Sequence, residues 1–156
     1  MRSRTAKWFI CIVKYEKVTE DGTQKKVTEQ YVVDALSFSE AEARITKEMA
    51  SYVSGGIEIA NINPAPFGEI FFADDENAAE VQADLWFKAK LQFITIDENT
   101  EREKKSTVTY LVQAGSFEGA RKNIDEVMGG TMIDYVIAGV NETPIMDVFE
   151  YVKDSQ

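Results

Sequence analysis

The sequence predicts an α+β protein made by internal duplication of a ββαββ unit, with antiparallel sheets, two helices and a pseudo-two-fold axis. Three observations predict it. The two halves of the chain repeat one another at a nearly constant spacing. Each half runs through strand-period, turn, strand-period and helix-period patterning in the same order. A hydrophobic fraction of 44%, with 9 Phe, 6 Tyr and 2 Trp in 156 residues, supplies the core that such a fold needs.

The repeat is the firmest of these. Lys25/Lys104, Lys26/Lys105, Thr28/Thr107, Tyr31/Tyr110, Val33/Val112, Ala35/Ala114, Ser37/Ser116 and Phe38/Phe117 all lie 79 residues apart (110 − 31), as do Ala41/Ala120, Ile45/Ile124 and Met49/Met128. The flanks lie 78 apart (86 − 8): Trp8-Phe9 with Trp86-Phe87, Ile59-Ala60 with Ile137-Ala138, Pro66 with Pro144, Glu69 with Asp147 and Phe71 with Phe149. Ordered identity at a fixed period marks a structural repeat. The first unit occupies 1–73, an acidic linker without aromatics 74–84, and the second unit 85–156, together forming one compact domain.

Within the first unit, Trp8 to Val13 is apolar on both alternating faces, which predicts a central strand. Asp21-Gly22 marks a hairpin turn. Lys26 to Ala35, rich in Val, Thr and Tyr, is the return strand. Ser37 with Glu40 three residues on reads as a capping box, Phe38, Ala41, Ile45 and Met49 form the buried stripe of a helix, and Gly55-Gly56 marks its stop. A third strand spans 57–62. Asn63-Pro64-Ala65-Pro66 breaks it, and a fourth spans 67–72. The second unit repeats the order with strands at 85–96, 105–114, 135–140 and 145–151 and a helix at 117–128. Its cap is weaker, because Gly119 stands where the first has Glu40. Pairing the edges of the two sheets, or packing them together, would satisfy both units.

Composition narrows function. The formal net charge is −10, from 17 basic and 27 acidic residues, so nucleic-acid backbone is disfavoured as a partner. There is no histidine, which removes the commonest general base and the usual zinc and Ser/His or Cys/His sites. The single cysteine, Cys11, lies in the apolar strand and reads as a small buried hydrophobe. No GxGxxG, P-loop or CxxC motif is present. Nothing implies a cofactor, a metal or an enzyme. No apolar run reaches the roughly 18 residues of a membrane span. The basic start lacks the apolar core and cleavage site of a secretory signal, which predicts a cytoplasmic protein.

The candidate ligand-binding residues are the ones the repeat keeps. Lys25, Lys26, Lys104 and Lys105 would form a symmetric cationic clamp for a phosphate-bearing ligand, or else decorate exposed strand starts. Trp8, Trp86, Tyr31 and Tyr110 would stack on bases, or else pack in the core. Asp34, Glu69 and Asp147 would need the fold to converge them before they could hold a metal, and Asn63 and Asn141 read as turn formers.

Trp8-Phe9, Lys25 to Glu29, Tyr31 to Phe38, Glu40 to Ile45, Trp86-Phe87-Lys88, Phe93-Ile94-Thr95, Glu103-Lys104-Lys105, Gly130-Thr131-Met132 and Ile145 to Phe149 form an ordered set over nearly the whole chain. With this set the sequence resembles a domain-of-unknown-function family of Bacteroidota and the phages that infect them. The resemblance implies a bacterial or phage origin and a cytoplasmic location, and supplies no activity. The order helix, four strands, helix also resembles, at the level of fold alone, the repeat of the PUR and Whirly single-stranded nucleic-acid binders. Three functions follow as expectations: a non-enzymatic binding or regulatory module acting through a protein partner; a binder or sequestering protein for a small anionic ligand such as a nucleotide, of the phage counter-defence type; and a single-stranded nucleic-acid module, which the charge opposes.

Overall fold

In each half the long apolar alternation becomes an inner strand of a sheet. In the computed structural model, which describes residues 1–73 and 83–151, β2 (Trp8–Val18) pairs antiparallel with β3 (Gln24–Asp34), and β6 (Leu85–Ile96) with β7 (Glu103–Ala114). The first hairpin closes with the Thr19 N–H donating to the Thr23 carbonyl at 2.8 Å, and Gly22 takes φ +82°. The second closes with the Asp97 N–H donating to the Arg102 carbonyl at 2.9 Å, and Glu101 takes φ +56°. The second turn is one residue longer, which is why the spacing slips from 78 to 79 between the strands.

Helix α1 (Phe38–Met49) begins where the Ser37 hydroxyl accepts the Glu40 N–H at 3.2 Å, and α2 (Phe117–Gly129) where the Ser116 hydroxyl accepts the Gly119 N–H at 3.0 Å. Glu40 reaches back to the Leu36 N–H at 3.2 Å, one residue before the capping serine. Ala41, Ile45 and Met49, and likewise Ala120, Ile124 and Met128, are buried. Phe38 and Phe117 are half-exposed, so they lie at the edge of the predicted stripe. Helix α1 ends well before Gly55-Gly56. The Tyr52 and Val53 N–H groups both turn back onto the Met49 carbonyl, and this drops Val53 into the core.

β4 (Glu58–Pro64) and β8 (Asp134–Glu142) flank β2 and β6. Each carries one unpaired residue, Ala60 and Ala138, where the register shifts.

The last strand of each half leaves its own sheet. β9 (Ile145–Phe149), from the second half, runs parallel to β3, with Val32 opposite Val148. β5 (Glu69–Phe72), from the first half, runs parallel to β7, with Ile70 opposite Leu111. β1 (Arg2–Thr5), from a segment given no element above, pairs with β5. The sheets are therefore ordered β4-β2-β3-β9 and β1-β5-β7-β6-β8. They are mostly antiparallel, with one parallel pair each instead of the wholly antiparallel sheets expected. A short loop cannot deliver a parallel neighbour, so that strand has to come from elsewhere in the chain. The chain forms two compact units, which we call the α1 unit (Ala6–Ala65 with Pro144–Gln156) and the α2 unit (Met1–Thr5 with Pro66–Thr143). Their limits differ from the repeat limits 1–73 and 85–156 because the α1 unit holds β9 from the second half and the α2 unit holds β1 and β5 from the first. Residues 74–82 of the segment read as an acidic linker lie outside the described residues.

Each unit has its own core beneath its helix. Phe9, Cys11, Val13, Tyr31, Val33, Ile45 and Met49 fill the α1 unit, and Phe71, Phe87, Leu91, Tyr110, Val112, Ile124 and Met128 the α2 unit. Full burial of one such large apolar side chain contributes about 1.5–3 kcal/mol. The alternate positions Trp8 and Val32, and Ile70 and Leu111, are buried too, as the two apolar faces of these strands require.

A polar clasp holds each imported strand. The Tyr151 N–H, just past β9, donates to the Asp34 carboxylate at 2.8 Å, and the Ala73 N–H, just past β5, donates to the Gln113 amide oxygen at 3.0 Å. A helix residue braces each clasp from behind. Arg44 donates to the Asp34 carbonyl, and Asn123 Nδ2 donates to the Gln113 carbonyl at 2.9 Å.

Candidate functional site: the groove between α1 and β9

The residues singled out by the repeat do not gather at one place within a unit. Lys25, Lys26, Lys104 and Lys105 are exposed at the turn ends of the hairpins. In register, Lys25 faces Lys17, Lys26 faces Glu16, Lys104 faces Thr95 and Lys105 faces Ile94. Lys26 lines a cleft of about 380 Å³ with Lys14, Tyr15, Glu16 and the 55–58 turn. Trp8 and Trp86 are 2% and 3% exposed, and Tyr31 and Tyr110 are 8% and 6% exposed. Strand alternation puts each Trp on the sheet face opposite its Tyr. Trp86 packs edge-on to Phe72, and Tyr31 and Tyr110 stack on Phe149 and Phe71. Asp34 is engaged by its clasp, while Asp147 and Glu69 lie beside Tyr31 and Tyr110 in the parallel ladders. Burial raises the Asp147 carboxyl above its usual range.

The Lys26 cleft adjoins a polar cluster of the α1 unit that the matching positions of the α2 unit lack. The Tyr15 and Tyr31 hydroxyls both donate to Glu29, Tyr31 at 3.1 Å. Burial, then this hydrogen bond, pushes Tyr15 up to about 12; burial and the Glu29 charge raise Tyr31 as well. The corresponding α2-unit positions are Phe93, Val108 and Tyr110, so packing alone does not call for the carboxylate.

A second groove, of about 360 Å³, runs between α1 and the end of β9, lined by Glu40, Arg44, Lys47, Glu48, Phe149 and Tyr151 among others. Helical spacing puts Glu40, Arg44 and Glu48 in one row, four residues apart. Arg44 is fully engaged. Its guanidinium pairs with Asp34 at 2.8 Å and with Glu40 at 2.6 Å, and lies 4.0 Å above the centre of the Tyr151 ring. Beside it runs a stack of three rings from core to surface. Phe149 is 5.4 Å from buried Tyr31 and 6.3 Å from Tyr52, which is 69% exposed.

The α2 unit shows which of these groups the fold itself requires. The buried ring pair recurs as Tyr110 on Phe71 at 4.8 Å. The rest does not recur. Glu40, Arg44, Glu48, Glu150 and Tyr151 correspond to Gly119, Asn123, Val127, Phe72 and Ala73, and the turn after α2 carries Gly130 and Thr131 where α1 is followed by Tyr52. The same strand-and-helix arrangement thus forms without the Glu40–Arg44–Glu48 row or the third ring, although Lys122 and Glu126 stand where the α1 unit has Ala43 and Lys47. Matching the halves for identity passed over these residues; the signal for them was the places where the halves disagree.

Fold and groove define a two-unit α+β protein with a groove on one unit that is lined by aromatic and charged residues. The chain belongs to the family described as domain of unknown function DUF4494, whose model matches residues 7–151. No curated protein and no solved structure matches it.

Proposed function

We propose that this is a non-enzymatic binding or regulatory protein of the bacterial cytoplasm, from a member of the Bacteroidota or a phage that infects them. In this reading it arose by internal duplication and acts through a protein partner held at the α1–β9 groove. The observation that carries this is the asymmetry between the units: Glu40, Arg44, Glu48 and the exposed ring of Tyr151 line the groove of one, while the other has Gly119, Asn123, Val127 and Ala73 at those positions. Groups that folding does not require, placed together at a surface concavity, are what a binding site selects.

The test is site-specific photocrosslinking with the full chain in its own host. A benzophenone amino acid at Tyr52 should crosslink one stoichiometric partner; the same probe at Arg121, exposed on α2, should not. Equal yields from both positions, or none from Tyr52, would refute the reading.

One observation favours a second reading, a small anionic ligand such as a nucleotide. Lys26 and Lys14 line one cleft with Tyr15. Glu16 and Glu58 line it too and offset that charge, which is why this reading ranks second.

A further inference from the structure

We infer that the free edge of β8 is a dimerisation surface, where β8 pairs antiparallel with β8 of a second copy of this chain about a two-fold axis at Val136. This does not rest on the partner site, which lies in the other unit. β8 is an edge strand: among the described residues β6 is its one neighbour. An edge strand presents unpaired N–H and C=O groups to any chain that can match them, and charges or proline on the edge guard against this. β4 holds the same place in the α1 unit and is guarded, since it begins at Glu58 and ends at Pro64. In β8 the position of Glu58 is taken by Val136 (136 − 58 = 78), and Met132 and Ile133 stand in place of Ser54 and Gly55. All three of these apolar residues are exposed. On the neighbouring strand Ile94 stands where β2 has Glu16. The pairing that Glu58 would block, by meeting itself on the axis, is open at Val136.

The strand itself sets the register. The irregularity at Ala138 leaves Asp134 to Ile137 as the regular stretch. About an axis at Val136, Tyr135 lies opposite Ile137 of the second copy, which is a favourable aromatic–β-branched pair, and Asp134 lies opposite Ala138. An axis at Ala138 would instead set Asp134 against Glu142, like charge against like. Tyr135 and Ile137 pack on the core beneath α2, beside Phe93 and Leu91, so the pairing would extend that core across the axis. Val136 is on the opposite face, beside Gln92, and would meet its own copy there. The contact is isologous and short, so the dimer is weak and depends on concentration. It would carry the α1–β9 groove twice, which favours a partner that offers two copies of its own binding segment.

The test is sedimentation velocity of the full chain over a concentration series. The unaltered chain should pass from monomer to dimer. Two chains of net charge −10 repel one another, so added salt should favour the dimer. Val136→Glu and Val136→Lys should each weaken self-association at least about tenfold, since each sets like charges face to face on the axis. An equimolar mixture of the two variants should associate again, because opposite charges then meet. The fold accepts a charge at this place, as Glu58 in β4 shows, and unchanged urea midpoints would confirm that both variants fold. The inference is overturned if the unaltered chain stays monomeric throughout, if salt dissociates the dimer, if neither variant weakens it, or if the mixture associates no better than its components. A monomeric chain that still crosslinks a partner at Tyr52 would sink the dimer and leave the partner reading standing.

Discussion

Replacing Asp34 tests whether the imported strand β9 is held by its polar clasp. The Asp34 side chain is buried, and its Oδ1 accepts from Arg44 and from the Tyr151 N–H, each at 2.8 Å. Asp34→Ala removes both bonds. Hydrogen bonds to a charged group contribute about 1.5–3 kcal/mol each when their partners are left without a substitute. Arg44 keeps the Asp34 carbonyl and Glu40, and Tyr151 is exposed enough for water to replace part of its loss. The expected cost is therefore about 2–3 kcal/mol, below the simple sum of two such bonds. Asp34→Asn keeps an acceptor for Tyr151 and gives up only the ion pair, so its cost should be about 1 kcal/mol. Gln113 shows that a neutral amide closes the equivalent clasp in the α2 unit. The assay is urea unfolding in a Trp86→Phe background, where Trp8, directly opposite Asp34 in the ladder, reports on the α1 unit. An Asp34→Ala variant within about 0.5 kcal/mol of its parent, the range of ordinary surface substitutions, would refute the clasp.

Glu101 occupies the left-handed region at φ +56°, so Glu101→Gly should stabilise by roughly 0.5–1 kcal/mol in the same assay, whereas Gly22→Ala, at φ +82°, should cost about 1 kcal/mol. Cys11 is fully buried and burial pushes its thiol up to about 12, so it should react with a disulfide reagent only on unfolding; labelling of the native chain at the rate of a free thiol would contradict this. Tyr15 by burial and the Glu29 bond, and Tyr135 chiefly by its 2.7 Å hydrogen bond to Asp125, are raised from 10.0 to about 12. The unfolded chain releases these protons first, so this stability is present below pH 10 and is lost as pH rises toward 12. Tyr15→Phe should flatten that decline, and an unchanged alkaline limb in stability against pH would argue against it.

Much of the architecture was legible in local pattern. Trp8 to Val13 reads as a two-faced apolar strand and is an inner strand; Ser37 and Ser116 read as caps and both accept the expected amide. Such features depend on residues within a few positions of each other, which is the range over which propensity and periodicity act. The exchange of β5 and β9 was not legible. Both were recognised as strands, but their partners lie in the other half of the chain, and their short alternating patterns fit more than one neighbouring edge. The helix end at Met49 was missed for a related reason: Val53 is drawn into the core by packing, while the Gly55-Gly56 signal lies beyond it.

The candidate site divides the same way. Identity between halves directed attention to the lysine pairs and to four aromatic residues, all four of them buried. Glu40, Arg44 and Glu48 could be placed on one helix row from spacing alone. Their meeting with Phe149 and Tyr151, about a hundred residues away, depends on β9 crossing to β3. The sequence by itself determined the elements from Trp8 onward, their order and the apolar stripes of the core, because apolar periodicity and capping are local. Only the tertiary structure decided which strands share a sheet and which side chains share a groove. Backbone hydrogen bonding specifies that a strand must pair, but packing across the whole chain selects its partner.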